Sequence, residues 1–417
     1  MTSDPAGLAG GGGVSAGPAR SRIIPETSEV AEPDAGIAPG SVMAGHQVTA
    51  GGAATRQAII AAGAAIGRIR SGRAIAVAFV LLAVAFLAGV SIGPVSTSPA
   101  EVAGALLSHL PWHPAISISP IDSAIIWQIR LPRVVLGMLV GAMLSGSGAA
   151  YQGVFRNPLA DPYLLGVAAG AGLGATAVII TGGDPAMLPL AAFAGAAGAV
   201  TLTYSLGAGS GRLGAGGGDP GSAMGSGTGS ILLAGIAVAA MLTAAQTYLQ
   251  QSHTQSLQNI YSWILGGLSG ATWDQVRLIL PYTALAAIAL LAHRRLLDVL
   301  AVGEGEAGTL GVNVARVRLT VVAAATLGAA AAVSVSGLIG FVGIIVPHLI
   351  RLVAGPSYRI ILPVSMVAGA AFLVAADIAA RTLQAPAEIP IGVITATLGG
   401  PFFLYVLRSR RTRAGRA

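Results

Sequence analysis

The chain has 417 residues, 54% hydrophobic and only 9% charged, with a formal net charge of +7 and a mean hydropathy of +0.77. That composition excludes an ordinary soluble domain, and successive apolar stretches of about 20 residues mark a protein that crosses a bilayer many times. All 23 basic residues are arginine and cysteine is absent, which excludes disulfides, thiolate metal sites and the phosphate-binding lysine of an ordinary P-loop ATPase.

Residues 1–70 are rich in Gly, Ala, Pro and Ser, lack sustained periodicity and read as a disordered cytoplasmic tail. Met1 is not followed by the basic and apolar runs of a signal peptide. A transmembrane domain is expected over 71–408, with a basic cytoplasmic tail at 409–417. After Arg68, Arg70 and Arg73, hydropathy predicts helices over 74–92, 132–154, 163–181, 186–206, 230–250, 274–293, 316–335, 338–353, 360–381 and 391–408. The segment 207–229, dense in Gly and Ser, reads as a flexible connector.

Ten spans put both termini on one side. If that side is cytoplasmic, every arginine except Arg130, Arg133, Arg277 and Arg381 falls inside, in keeping with the positive-inside rule. Because the arginines gather at helix ends and tails rather than on one face, the sequence pI near 10.3 reflects membrane topology and not nucleic-acid binding. A weak internal repeat is also present: Ser147-Gly148 with Pro158 is matched by Ser336-Gly337 with Pro347, as in transporters built from repeated halves.

The outward arginines need a reason. Arg130 and Arg133 flank Leu131-Pro132 at the head of the second helix, and Arg381 ends the ninth. One reading is that they snorkel to headgroups as anchors, which is the reading taken for Arg277. The other, favoured for Arg130, Arg133 and Arg381, is a docking surface for acidic groups. Asp377 and Glu388 lie near the same end and read as structural partners of an arginine such as Arg381 rather than as a proton relay. Asn157-Pro158 reads as a turn between helices. His109 and His113 have ligand-like spacing, but Pro111 and Pro114 argue for an irregular loop. No metal or other cofactor is expected.

The run from Trp127 to Gly166, WQIRLPRVVLGMLVGAMLSGSGAAYQGVFRNPLADPYLLG, and the block from Ser336 to Leu407 resemble the FecCD family, permease subunits of ABC importers for vitamin B12, iron-siderophores and haem. The resemblance implies an all-helical type II importer permease of about ten transmembrane helices in the cytoplasmic membrane. It also implies a homodimer or a pair with a paralogous permease, in contact with membrane lipid. Cytoplasmic ABC ATPase subunits would bind and hydrolyse ATP, so that the chain itself is not an enzyme, and an extracytoplasmic binding protein would deliver the substrate. By the same resemblance Arg130, Arg133 and Arg381 pair with glutamates of that binding protein. Glu304, Glu306, Gly308, Leu310 and Gly311 belong to a coupling loop of two short helices seated in the ATPase. Asn157 and Leu159, with Thr228 and Gly229, fall on the cytoplasmic gate. The alternative is an ion-coupled secondary transporter, which needs acids near the midplane that the early helices lack.

Overall fold

The computed structural model describes residues 72–93, 98–107, 119–213 and 223–414. The tail at 1–70 and the pair His109 and His113 lie outside the described residues. Among those described, all regular structure is helical: α1 (Gly72–Ser91), α2 (Pro99–Leu107), α3 (Pro120–Ala124), α4 (Leu131–Val154), α5 (Val167–Ile180), α6 (Leu188–Leu213), α7 (Ala223–Ser252), α8 (Leu257–Ile264), α9 (Trp273–Val302), α10 (Glu304–Thr309), α11 (Val314–Ser336), α12 (Val342–Ala354), α13 (Tyr358–Thr382) and α14 (Ile391–Ala414). Seven helical segments are long and apolar enough to cross a bilayer, and α5, α12 and the stretch Ile391–Tyr405 are shorter apolar helices. Each of these ten segments overlaps a stretch that hydropathy marks, though several ends differ. The end of the bundle at which α1 begins and α14 finishes is called here the terminal face, and the opposite end the far face.

α4 is the axis of the bundle. Its most apolar window is 78% buried, against 28% for α1, 28% for α9 and 22% for α7, so α4 is walled in by protein while the others keep a wide apolar side for lipid. Small residues permit that packing, since without a hydrophobic force between helices in lipid, close backbone approach supplies the attraction. A Cβ on Gly148 would lie 2.1 Å from the Gly343 carbonyl oxygen, and one on Gly141 2.3 Å from that of Gly369. α4 therefore touches α12 and α13 backbone to backbone.

Three expectations are corrected. The second helix does not start at Pro132. A continuous helical rod runs from Pro120 to Val154, and it passes the proline through a π-helical turn, Ile125–Arg130. In that register the Leu131 N–H reaches back to the Ile126 carbonyl, so the next bond would run from residue 132 to Trp127, and Pro132 has no N–H to give. The indole Nε1 of Trp273 donates to the orphaned Trp127 carbonyl instead, at 2.8 Å, while the Trp127 indole donates to Ala105 at 3.0 Å. Second, the flexible connector at 207–229 is not one segment: α6 continues to Leu213 and α7 begins at Ala223, leaving only 214–222 undescribed. Third, the helix expected over 338–353 starts at Val342. The stretch before it is held open by Gly337 and Phe341, both at positive φ, and glycine fits that region without strain.

Candidate functional site

At the far face three arginines and two carboxylates draw together parts of the chain more than 240 residues apart. Arg133, in the first turn of α4, donates from Nε to both Asp377 oxygens at 3.0 and 3.1 Å and from Nη2 to Oδ1 at 2.8 Å. It also donates to Glu388 from Nη1 at 2.8 Å and Nη2 at 3.0 Å. Arg381 lies one turn after Asp377 on α13, its Nε 3.5 Å from Asp377 Oδ2. That separation is an ion-pair contact and not a hydrogen bond, because Arg381 Nε has no hydrogen-bond partner among the described residues. The other end of Arg381 donates to the Gly89 carbonyl, and Arg130 donates to those of Val90 and Ser91 at 2.9 and 2.8 Å. Guanidiniums thus close the last turn of α1, where unpaired carbonyls concentrate negative potential.

The three arginines expected to form a docking surface for acidic groups are drawn into the protein. Arg130, Arg133 and Arg381 are only 4%, 7% and 3% exposed. A charge withdrawn from water is costly unless it is paired and hydrogen-bonded, and Asp377, itself 1% exposed, meets that need. Asp377 and Glu388 are structural partners, with Arg133 the main one and Arg381 the second. Arg277 is different, an exposed residue beside exposed Asp274 at 3.3 Å.

Glu388 sits in the loop before α14. The hydrogen bond from Arg133, acting against partial burial, holds its carboxyl below the usual glutamate range. A depressed folded-state value means that the contribution is fully present above the unfolded value, near 4.3, and fades as pH falls through the folded one. Glu388→Gln is therefore expected to lower thermal stability at pH 7 and to differ less from wild type as pH drops below about 4. Melting curves across pH in detergent check this, and a gap that widens with acid would contradict it.

At the terminal face α10 projects between α9 and α11. Leu310 and Val302 are 71% and 72% exposed, Gly308 has open space around it, and Gly311 turns the chain at φ +77°. Glu306 is exposed as well. The five residues expected to act together thus divide. Gly308, Leu310, Gly311 and Glu306 form an outward knob with an apolar tip. Glu304 faces inward, paired with Arg318 and 3.7 Å from Arg156 in the turn after α4, and so ties the knob to the bundle. One short helix stands here where two were expected.

The turn after α4 carries Asn157, whose side-chain oxygen accepts from the Leu159 N–H at 3.0 Å, as the Asn-Pro turn reading requires. Gly229 lies within α7 with nothing near its missing side chain among the described residues. The side chain of Thr228, also in α7, is outside the described residues. Two residues of the same loop were not singled out from sequence. Asp161 is 9% exposed and accepts from the Tyr163 N–H at 2.8 Å, capping the 3-10 turn Pro162–Leu165. The Tyr163 hydroxyl donates to the Ile339 carbonyl and accepts from the Ile339 N–H, both at 3.0 Å, which fastens this loop to the open stretch before α12. Asp-Pro ahead of an apolar run is an N-cap signature and was legible as such.

Residues 81–409 match the FecCD transport family, and the chain belongs to it. It is 40% identical to the cobalamin import system permease protein BtuC of Halobacterium salinarum over 388 residues, covering 83% of this chain and all of the relative. It is 38% identical to the hemin transport system permease protein HmuU of Yersinia pestis, covering 84% of this chain and 99% of the relative. A solved structure described as an inward-facing conformation of a metal-chelate type ABC transporter superposes with a TM-score of 0.67 at 28% identity, covering 81% of this chain and 99% of that one. The fold is accordingly that of an ABC importer permease, a multi-pass protein of the cell membrane.

Proposed function

We propose that this chain is the permease subunit of a binding-protein-dependent ABC importer that admits a bulky metal chelate, an iron-siderophore, haem or cobalamin. The observation that carries the reading is similarity over nearly the whole length of permeases named for cobalamin and hemin, joined to a knob at the terminal face whose apolar tip is left exposed among the described residues. Two copies, or one copy with a paralogous permease, enclose the pathway. The terminal face is cytoplasmic, consistent with the arginine distribution. Leu310, Gly308 and Gly311 seat in an ABC ATPase that supplies ATP hydrolysis, Glu306 borders that contact, and Glu304 passes its movement to α11 and α4. The binding protein meets the far face, which the cluster of Arg130, Arg133 and Arg381 holds in shape. Asn157 and Leu159 with Thr228 and Gly229 narrow the cytoplasmic gate. Transport is then a population shift between inward- and outward-open states, driven by nucleotide affinity that differs between them.

The test is uptake by cells whose only cobalamin or iron source is one defined compound. Gly308→Arg with Leu310→Glu is expected to reduce uptake more than tenfold at unchanged membrane abundance, because a buried unpaired charge in an interface costs about 2–5 kcal/mol. Uptake that is unaffected by this pair, or that stops with a proton uncoupler while ATP is maintained, would instead favour an ion-coupled transporter.

A further inference from the structure

The terminal half of α1 stands away from the bundle. Ala74 and Ala78, one turn apart, make its contact there, at 7% and 3% exposure. Side chains this small leave room on both flanks: a groove of about 620 Å³ opens toward α12, and a smaller one of about 110 Å³ toward α13. The larger groove is walled by Val77 and Leu81 of α1 and by Leu349, Leu352 and Val353 of α12, with Ala368 of α13 also lining it. All five wall residues remain 42–60% exposed. Arg73 lies at its terminal-face end, exposed. Among the described residues Arg73 makes no ion pair or side-chain hydrogen bond, and no acid lines the groove.

We propose that this groove holds an anionic phospholipid, one acyl chain lying between α1 and α12 and the phosphate on Arg73. The dimensions agree. From Arg73 to Leu81 the helix rises about 12 Å, close to the roughly 15 Å hydrocarbon depth of one leaflet. An arginine that has no ion partner among the described residues, at the interface end of an apolar groove, matches the charge order of such a lipid, phosphate outermost and hydrocarbon inward. Occupancy would fill the gap left by the alanines and brace α1, which is otherwise fastened most firmly at its other end. The proposal rests on the membrane-spanning fold and not on the transport reading, so failure of one leaves the other standing.

The test uses the full-length protein in vesicles of equal parts phosphatidylglycerol and phosphatidylcholine, with one lipid or the other carrying a photoreactive acyl chain, followed by peptide mapping. One arginine near an anionic headgroup contributes about 1 kcal/mol, or roughly fivefold. The phosphatidylglycerol probe is therefore expected to label 77–81 and 349–353 about fivefold more than the phosphatidylcholine probe. Arg73→Gln should bring that ratio close to one; Arg68 and Arg70 preserve the topology signal in this variant. Val77→Phe should lower labelling by both probes by filling the groove, and if it does not fold, Arg73→Gln decides alone. Equal labelling by the two probes, an unchanged ratio in Arg73→Gln, or crosslinks showing the groove filled by residues 1–71 or by a second copy would each overturn the proposal.

Discussion

Asp377→Ala is expected to destabilise the protein by about 3–5 kcal/mol, the range seen when one member of a buried ion pair is removed, and to deplete the folded form in the membrane. Domains commonly hold only 5–15 kcal/mol in total, so the loss is a large share. The reason lies in the geometry. Arg133 loses the carboxylate that accepts from both its Nε and Nη2, and Arg381 loses its ion partner. Both are under 8% exposed, so water does not take the carboxylate's place. Asp377→Asn should fall between, because it keeps one of the two acceptor oxygens and loses the charge. The fraction surviving detergent extraction as a single monodisperse species measures the effect, and an Asp377→Ala protein as robust as wild type would show that the arginines are satisfied some other way. The same cluster alters what a charge reversal at Arg133 means. A glutamate there would face Asp377 and Glu388, so the variant is expected to fail in folding before any docking defect is seen.

The second large effect is expected at Gly148, where alanine alone should suffice. The added Cβ would meet Gly343 backbone atoms at 2.1 and 2.4 Å, closer than any side-chain rearrangement can relieve. α4 is also pinned two turns away by the contact between Gly141 and Gly369, so it has little freedom to retreat. The cost should exceed the 1–3 kcal/mol of ordinary overpacking and remove most folded protein. Gly229→Ala is the matched control: its Cβ meets nothing among the described residues, and within a helix alanine is favoured over glycine by up to about 1 kcal/mol. Membrane abundance of the two variants side by side gives the answer, and equal abundance would refute the backbone-contact reading of α4.

Hydropathy made the apolar helices legible because lipid demands internally satisfied backbone, which leaves long apolar stretches as a plain record. Helix ends were less legible. Pro132 reads as a helix start on local grounds, and only a tryptophan 146 residues away explains how the rod passes through it. The arginine cluster shows the same limit from another side. The sequence shows that Arg130, Arg133 and Arg381 oppose the charge bias and that Asp377 and Glu388 lie near the same end. It does not show whether the arginines face outward or meet those carboxylates, since burial depends on how α1, α4 and α13 pack. Around α10 only the family resemblance marked the segment, and Glu304 escaped notice as an internal residue because its partners, Arg156 and Arg318, lie on two other elements.

The closing of α1 by guanidiniums bears on the order in which the protein is built. α1 leaves the ribosome before every other helix described, yet the carbonyl of Gly89 waits for an arginine 292 positions later, and that of Val90 for one 40 positions later. Until Arg381 has been synthesised and α13 has inserted, the leading helix is held by only part of its final attachment. The first described helix to emerge is thus among the last to be fully secured, and an interrupted chain that stops short of α13 leaves that helix partly unlatched.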